Sequence, residues 1–142
     1  MSFSLTYSAK VVCEGPDEWT LIFPDVPEAV SGADSEAEAW SEAPDVLALA
    51  LLSYPRRGLP FPQPGTAAQH DRLIGVPAVQ SAKLFIHQAM VARSMTAADL
   101  ARQLDSDHKS IRRILSLSHN SRMDQLEAVL AMLNVRVVLM AA

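Results

Sequence analysis

Phe3-Ser4-Leu5-Thr6-Tyr7-Ser8-Ala9-Lys10-Val11 alternates apolar and polar residues without a break, and Trp19-Thr20-Leu21-Ile22-Phe23 follows after Glu14-Gly15-Pro16-Asp17-Glu18. Period-two alternation puts Phe3, Leu5, Tyr7, Ala9 and Val11 on one face of a strand and leaves Ser4, Thr6, Ser8 and Lys10 on the other. The Gly-Pro-Asp centre reads as a turn, so the second run returns beside the first as a hairpin. Pro24 and Pro27 stop it, since proline cannot donate to a sheet ladder. A short third strand is predicted at residues 29–31, ended by Gly32. Cys13, at the end of the first strand, is read as a small buried hydrophobe.

The period then changes. Ser35 followed by Glu38 fits the reciprocal capping arrangement of a helix start, and Glu36 and Glu38 put negative charge at the positive end of the helix dipole. Trp40, Ala43, Leu47, Ala50 and Tyr54 recur at helical spacing, predicting a helix laid across the hairpin. Pro44 removes a backbone donor inside it, predicting a kink near Glu42 or a restart. Five of the nine prolines (Pro55, Pro60, Pro62, Pro64, Pro77) crowd residues 53–80, so 53–72 is predicted as an extended, Pro-rich segment. Leu73-Ile74-Gly75-Val76 can form a last strand. Residues 1–80 therefore read β-β-β-α-β, a helix on a small, mainly antiparallel sheet, and the chain as a whole is α+β.

Residues 81–142 read as helical almost throughout. Ser81 is the predicted cap of a helix carrying Leu84, Phe85, Ala89 and Val91. Thr96 caps a second at 97–104 with Asp99 at its third position. Ser106 is the predicted cap of a third, in which Ile111, Ile114 and Leu115 point inward and His108, Lys109, Ser110, Arg112 and Arg113 face solvent. A fourth, at about 122–133, repeats Met123, Leu126, Leu130 and Leu133 on one stripe. Residues 135–140 (Val-Arg-Val-Val-Leu-Met) are predicted as a short apolar strand in want of a partner.

Composition narrows the function classes. A length of 142 residues suits one domain or two small ones, and 49% apolar with 20% charged residues is ordinary for a folded chain. The longest apolar run, Val46 to Leu52, is too short to span a bilayer, and Met-Ser-Phe-Ser-Leu-Thr-Tyr has no secretory leader pattern. A single cysteine allows no intrachain disulfide, which points to a cytoplasmic setting. The net charge of −4 conceals two halves of opposite sign. Residues 1–80 carry eleven Asp and Glu against Lys10, Arg56, Arg57 and Arg72, a net −7; residues 81–142 carry five against eight Lys and Arg, a net +3. One end suits a basic partner and the other a polyanion, although two solvated surfaces would look the same.

Two short helices joined by a tight turn, the second with a basic outer face, are the parts of a helix-turn-helix that lays its second helix in the DNA major groove. Ser106, His108, Lys109, Ser110 and Arg113 are the candidates for the groove. Arg102, Arg112, Arg122 and His119 are candidates for phosphates, which position a protein without reading sequence. A plain helical bundle with a solvated basic face is the alternative, and Asp107 beside the groove face counts against DNA. Enzyme readings are weaker. The carboxylates of residues 14–45 sit at turns and helix starts, the four histidines are irregularly spaced, and no phosphate-binding, nucleophile-elbow or zinc motif occurs. The reading is therefore a non-enzyme with no metal and no cofactor.

The chain resembles the HicB family of antitoxins over nearly its whole length. Trp19-Thr20-Leu21-Ile22-Phe23-Pro24-Asp25-Val26-Pro27 is similar to the family's strand followed by Phe-Pro-Asp-x-Pro. Gly32-Ala33-Asp34-Ser35 leading into Glu38-Ala39 is similar to its helix opening, and Gly58-Leu59-Pro60-Phe61-Pro62-Gln63-Pro64 to its Pro-rich exit. Ser81-Ala82-Lys83-Leu84 through Ser110-Ile111-Arg112-Arg113-Ile114-Leu115 resembles the helix-turn-helix tail of one branch. The resemblance implies a degenerate ribonuclease H-like domain at 1–80, without nuclease activity, that masks a small basic mRNA-cleaving HicA toxin. Trp19, Phe23, Asp25, Asp34, Glu36 and Trp40 are its candidate toxin contacts. It further implies that 81–142 dimerises and binds the chain's own operator as a repressor, within a homodimer or homotetramer and away from membranes. The alternatives are a stand-alone regulator whose first domain binds another protein or a small ligand, and an active ribonuclease H-like enzyme.

Overall fold

The computed structural model describes residues 5–141. Its chain divides into two compact units, Met1–Ser53 with Phe61–Pro77 and Tyr54–Pro60 with Ala78–Ala142. The elements run β1 (Thr6–Gly15), β2 (Glu18–Ile22), β3 (Val30–Ala33), α1 (Glu36–Arg56), β4 (Arg72–Gly75), α2 (Ala78–Ala92), α3 (Ala97–Leu104), α4 (His108–Leu115) and α5 (Met123–Met132). The architecture is α+β, with β-β-β-α-β followed by helices. Phe3 and Ser4 of the expected first strand lie outside the described residues.

In the first unit the sheet order is β3-β2-β1-β4, and every ladder is antiparallel. Residues opposite one another in a ladder share a face. Tyr7 pairs with Ile74 and Ala9 with Arg72, and Val11 with Leu21. That face is the inner one. Tyr7, Ala9 and Leu21 are wholly buried, as are Ala43 and Leu47 of α1, and Arg72 stacks on the α1 Trp40 ring at 4.4 Å. The other face carries Val12, Val30 and Leu73, all exposed.

The hairpin explains one departure from the sequence reading. Cys13 is exposed, not buried, and its thiol lies 3.4 Å from the Gly15 carbonyl. β4 pairs only with Thr6 to Ala9, so beyond Ala9 the sheet narrows to β1, β2 and β3 with β1 as its edge, and the alternation no longer reports burial there. A bulge between Cys13 and Gly15 and a left-handed Asp17 (φ 56°) complete its turn.

Ser35 caps α1 as expected, its hydroxyl accepting from the Glu38 N–H at 3.1 Å. The return bond reaches one residue further back, with Asp34 N–H donating to the Glu38 carboxylate at 2.7 Å. α1 then runs without interruption through Pro44 and Pro55, so the predicted restart does not occur and 53–56 is helix, not extended chain. Each proline costs one backbone bond, and the burial of Ala39, Ala43, Leu47, Leu51 and Leu52 offsets it. The buried stripe is thus displaced from the expected one, leaving Trp40 and Ala50 only half-buried. Gly58 follows the helix with φ 69°, while Leu59 N–H bonds the Tyr54 carbonyl at 2.9 Å, the left-handed ending that favours glycine.

The Pro-rich chain from Phe61 is strapped to the first unit. Phe61 is buried, the Tyr7 hydroxyl donates to the Pro62 carbonyl at 2.8 Å, and the Gly65 N–H donates to Asp25 at 2.8 Å. A β-carbon on Gly65 would stand 2.8 Å from that carboxylate, so a side chain there would push the Asp25 carboxylate aside.

The second unit packs α2 to α5 around Ala82, Ile86, Met90, Leu100, Ala101, Ile111, Ile114, Leu126, Val129, Leu130 and Leu133. α2 begins at Ala78, before the expected Ser81 cap, and Val91, expected inside, is exposed. The predicted strand at 135–140 does not form. Asn134 takes a left-handed φ of 58°, Val135 N–H bonds Leu130 O at 2.8 Å, and Val135 and Val137 pack on the helical core. Val138, Leu139 and Met140 remain exposed, because a single strand has no ladder to join.

Leu47 is fully buried where α1 meets the sheet. Leu47→Ala should lower unfolding stability by about 3 kcal/mol, read as a reduced urea midpoint with an unchanged slope. Leu49→Ala, at an exposed position of the same helix, should leave the midpoint nearly unchanged.

Candidate nucleic-acid interface and acidic face

α3 and α4 are two-turn helices joined by Asp105, Ser106 and Asp107. Thr96 opens α3: its side chain accepts from the Asp99 N–H at 3.1 Å, and Asp99 accepts from the Thr96 N–H at 2.9 Å. Asp99 also pairs with Arg102. These bonds hold the Asp99 carboxyl below its usual range, the backbone bond to Thr96 contributing most. α3 ends in a left-handed Asp105 (φ 48°), and the Ser106 N–H returns to the Ala101 carbonyl at 3.0 Å.

The cap of α4 is Asp107, not Ser106, and its carboxylate accepts from the Ser110 N–H at 2.7 Å. Ser106 is occupied in closing the α3 end, and a carboxylate at a helix start is favoured by charge as well as by geometry. The bonds to Ser110 depress the Asp107 pKa, so it stays ionised in its capping role. An acidic residue beside a basic face thereby has a structural cause.

α4 buries Ile111 and Ile114 and turns the other side outward. His108, Lys109, Arg112 and Arg113 are exposed on it, whereas Ser106 and Ser110 are half-buried. Arg122 is exposed just before α5, but its guanidinium grips Asp124 through two bonds, at 3.1 and 2.5 Å. Arg102 is likewise engaged by Asp99. The exposed basic face of α4 is therefore built from Lys109, Arg112 and Arg113 with His108.

One residue escaped the sequence reading. Lys83 of α2 is wholly buried, and its ammonium donates to the carbonyls of Arg113 (2.9 Å), Ser116 (2.6 Å) and His119 (2.6 Å). Desolvation pulls its pKa below the ordinary lysine value. His87, one turn along α2, meets the Leu115 carbonyl through Nε2 at 2.8 Å. A signal existed: Lys83 precedes Ile86 and Met90 by three and seven residues, the spacing of the buried stripe.

In the first unit the expected partner contacts are of several kinds. Asp34 and Glu36 are exposed at the start of α1, while Trp19 and Trp40 are half-buried. Glu36 accepts from the Trp40 indole at 3.4 Å. Phe23 is wholly buried; its ring fills the core and offers nothing to a partner. Asp25 is half-buried and already holds Gly65. Sequence reasoning could not separate these roles, because an aromatic beside a Phe-Pro turn suits a core as well as a contact. Among the described residues no group of three His, Cys, Asp or Glu could hold a metal ion, and no helix is long and apolar enough to cross a membrane.

Residues 6–85 match the family model described as the HicB-like antitoxin of bacterial toxin–antitoxin systems. The chain belongs to the HicB-like antitoxin family. It is 34% identical over 125 residues to Antitoxin HicB 2 of Photorhabdus laumondii, covering 87% of each chain. It is 28% identical over 109 residues to Antitoxin HicB of Escherichia coli, covering 77% of this chain and 79% of that one. Antitoxin HicB of Pseudomonas fluorescens is 28% identical over 133 residues, covering 92% of this chain and 90% of the relative. All three alignments are longer than the matched family segment, and the 133-residue one reaches well into the helices of the second unit.

His87 makes the second unit sensitive to acid. Burial foremost, with the Arg56 and Lys83 charges, lowers its pKa from 6.5, and the Leu115 bond opposes this only in part. A histidine whose folded pKa is depressed favours the fold in its neutral form, so its contribution is complete above the unfolded pKa and is lost as pH falls through the folded one. Thermal unfolding followed from pH 7.5 to 5 should show stability declining below about pH 6.5, with a shallower decline in His87→Gln.

Proposed function

We propose that the chain is an antitoxin whose first unit binds and neutralises a HicA-type mRNA-cleaving toxin. In this reading the second unit represses the chain's own operon by placing α4 in the major groove of operator DNA. The observation that carries the DNA half is the exposed run of Lys109, Arg112 and Arg113 on a two-turn helix whose predecessor ends in a tight turn. Long cationic side chains on such a helix can reach guanine edges and phosphates together. His108, Lys109 and Arg113 are assigned to base edges, with Ser106 and Ser110 at the groove entrance. Arg112 and Arg122 are assigned to phosphates, Arg122 exchanging Asp124 for the backbone.

The toxin half rests on family membership and on the net −7 of residues 1–80. Asp34 and Glu36, exposed at the opening of α1, with Trp19 and Trp40 beside the sheet, offer a basic toxin charge pairing and apolar contact. The domain division follows: residues 1–80 for the toxin, 81–142 for DNA and self-association. A homodimer would set two copies of α4 about 34 Å apart, one turn of DNA, and so calls for an inverted-repeat operator.

Lys109→Ala combined with Arg113→Ala should weaken operator binding by about 100-fold, as two direct contacts of ordinary strength imply. The salt dependence should stay nearly the same, because both side chains are assigned to base edges and not to phosphates. Fluorescence anisotropy on the upstream DNA across a salt series reads both, and unchanged affinity would refute the α4 assignment. Asp34→Lys with Glu36→Lys should slow toxin association and abolish growth rescue when the pair is co-expressed. Rescue at wild-type level would move the toxin contact away from the start of α1.

A further inference from the structure

The backbone groups at the end of α4 are claimed by α2. A helix leaves its last four carbonyls without intrahelical partners. In α4, Arg112 O receives the Ser116 N–H at 3.0 Å. Arg113 O receives the Lys83 ammonium, and Leu115 O meets the His87 ring. The same ammonium holds Ser116 O and His119 O, beyond the helix end. Its three N–H donors thus meet three carbonyls, in a side chain with no solvent exposure. Lys83 and His87 stand four residues apart on α2, one above the other, so a single face of that helix grips the end of α4 and the loop after it.

We propose that Lys83 is a positioning residue for the DNA-contacting face. By fixing the carbonyl end of α4 it sets where Arg112 and Arg113 stand and how the loop to Arg122 leaves the helix. This rests on the reading of α4 as the DNA-contacting helix. α4 has two turns and buries two side chains, too little for a helix that must hold its own orientation. Its start is secured locally by Asp107. Its end, which carries two of the three exposed cations, is secured from outside. A cation suits this place, where the negative end of the helix dipole lies. An apolar residue of equal volume could stabilise a core as well as a buried charge does, so what the ammonium adds is directional: it holds three carbonyls in one arrangement. Lys83 itself is sealed from solvent and touches no phosphate.

The test uses the full chain and its Lys83→Met variant, which preserves length and removes the donors. Amide hydrogen exchange should show protection falling at least tenfold at Ser116, His119 and Ser121, with the amides of α5 unchanged. Operator affinity should fall at least tenfold, because Arg112 and Arg113 lose their fixed placement on the DNA. Unchanged protection overturns the anchor. Unchanged affinity despite lost protection overturns the positioning role. Failure of the unaltered chain to bind operator refutes the α4 reading, and with it the link to DNA, while the exchange data still decide the anchor. If Lys83→Met does not fold, nuclear magnetic resonance of the unaltered chain decides. Slowly exchanging Lys83 ammonium protons coupled to the carbonyls of residues 113, 116 and 119 support the proposal, and a freely exchanging ammonium overturns it.

Discussion

An eight-residue helix leaves as many backbone groups unsatisfied at its ends as it has residues, and α3 and α4 each have eight. Everything that gives the second unit a fixed surface follows from how those groups find partners. Thr96 and Asp99 close the start of α3, left-handed Asp105 closes its end, and Asp107 opens α4. Lys83 and His87 then meet the carbonyls at the far side. The basic face is rigid for as long as these bonds stand. Its cations are long and mobile, so what the fold supplies is the backbone beneath them.

The first unit solves a different problem. A four-stranded antiparallel sheet with one helix can cover one face, and here the covered face holds Tyr7, Ala9 and Leu21 against the Ala39, Ala43, Leu47 and Leu51 stripe of α1. The acidic residues gather where the architecture accepts them cheaply, at the hairpin turn and around the start of α1. Glu38 and Asp25 each hold a backbone N–H, so part of the negative charge is structural. Asp34 and Glu36 remain exposed for a partner. The same economy appears in the second unit, where Asp99, Asp107 and Asp124 are spent on caps and pairs. Its cationic face on α4 is left without acidic competition except at the helix start.

Much of this was legible in the residues. Alternation located β1 and β2, the Ser35 and Thr96 caps located α1 and α3, and Ile111 with Ile114 gave the inward side of α4 and so its outward cations. The three segments around residues 19–27, 32–39 and 58–64 pointed to the family that the comparisons then showed. These signals are local: a cap, a turn or a period is complete within a few residues, and its physics does not need the rest of the chain. What the tertiary structure alone decided depends on what covers what. Cys13 is exposed because β4 reaches only as far as Arg72, opposite Ala9, and leaves the edge of β1 uncovered beyond it. Phe23 is core because it follows Leu21 on the face that α1 covers, which removes it from any partner. Residues 135–140 form no strand because there is no ladder beside them. Lys83 is buried because three carbonyls from a distant turn converge on it, and no pattern within α2 specifies where those carbonyls will be.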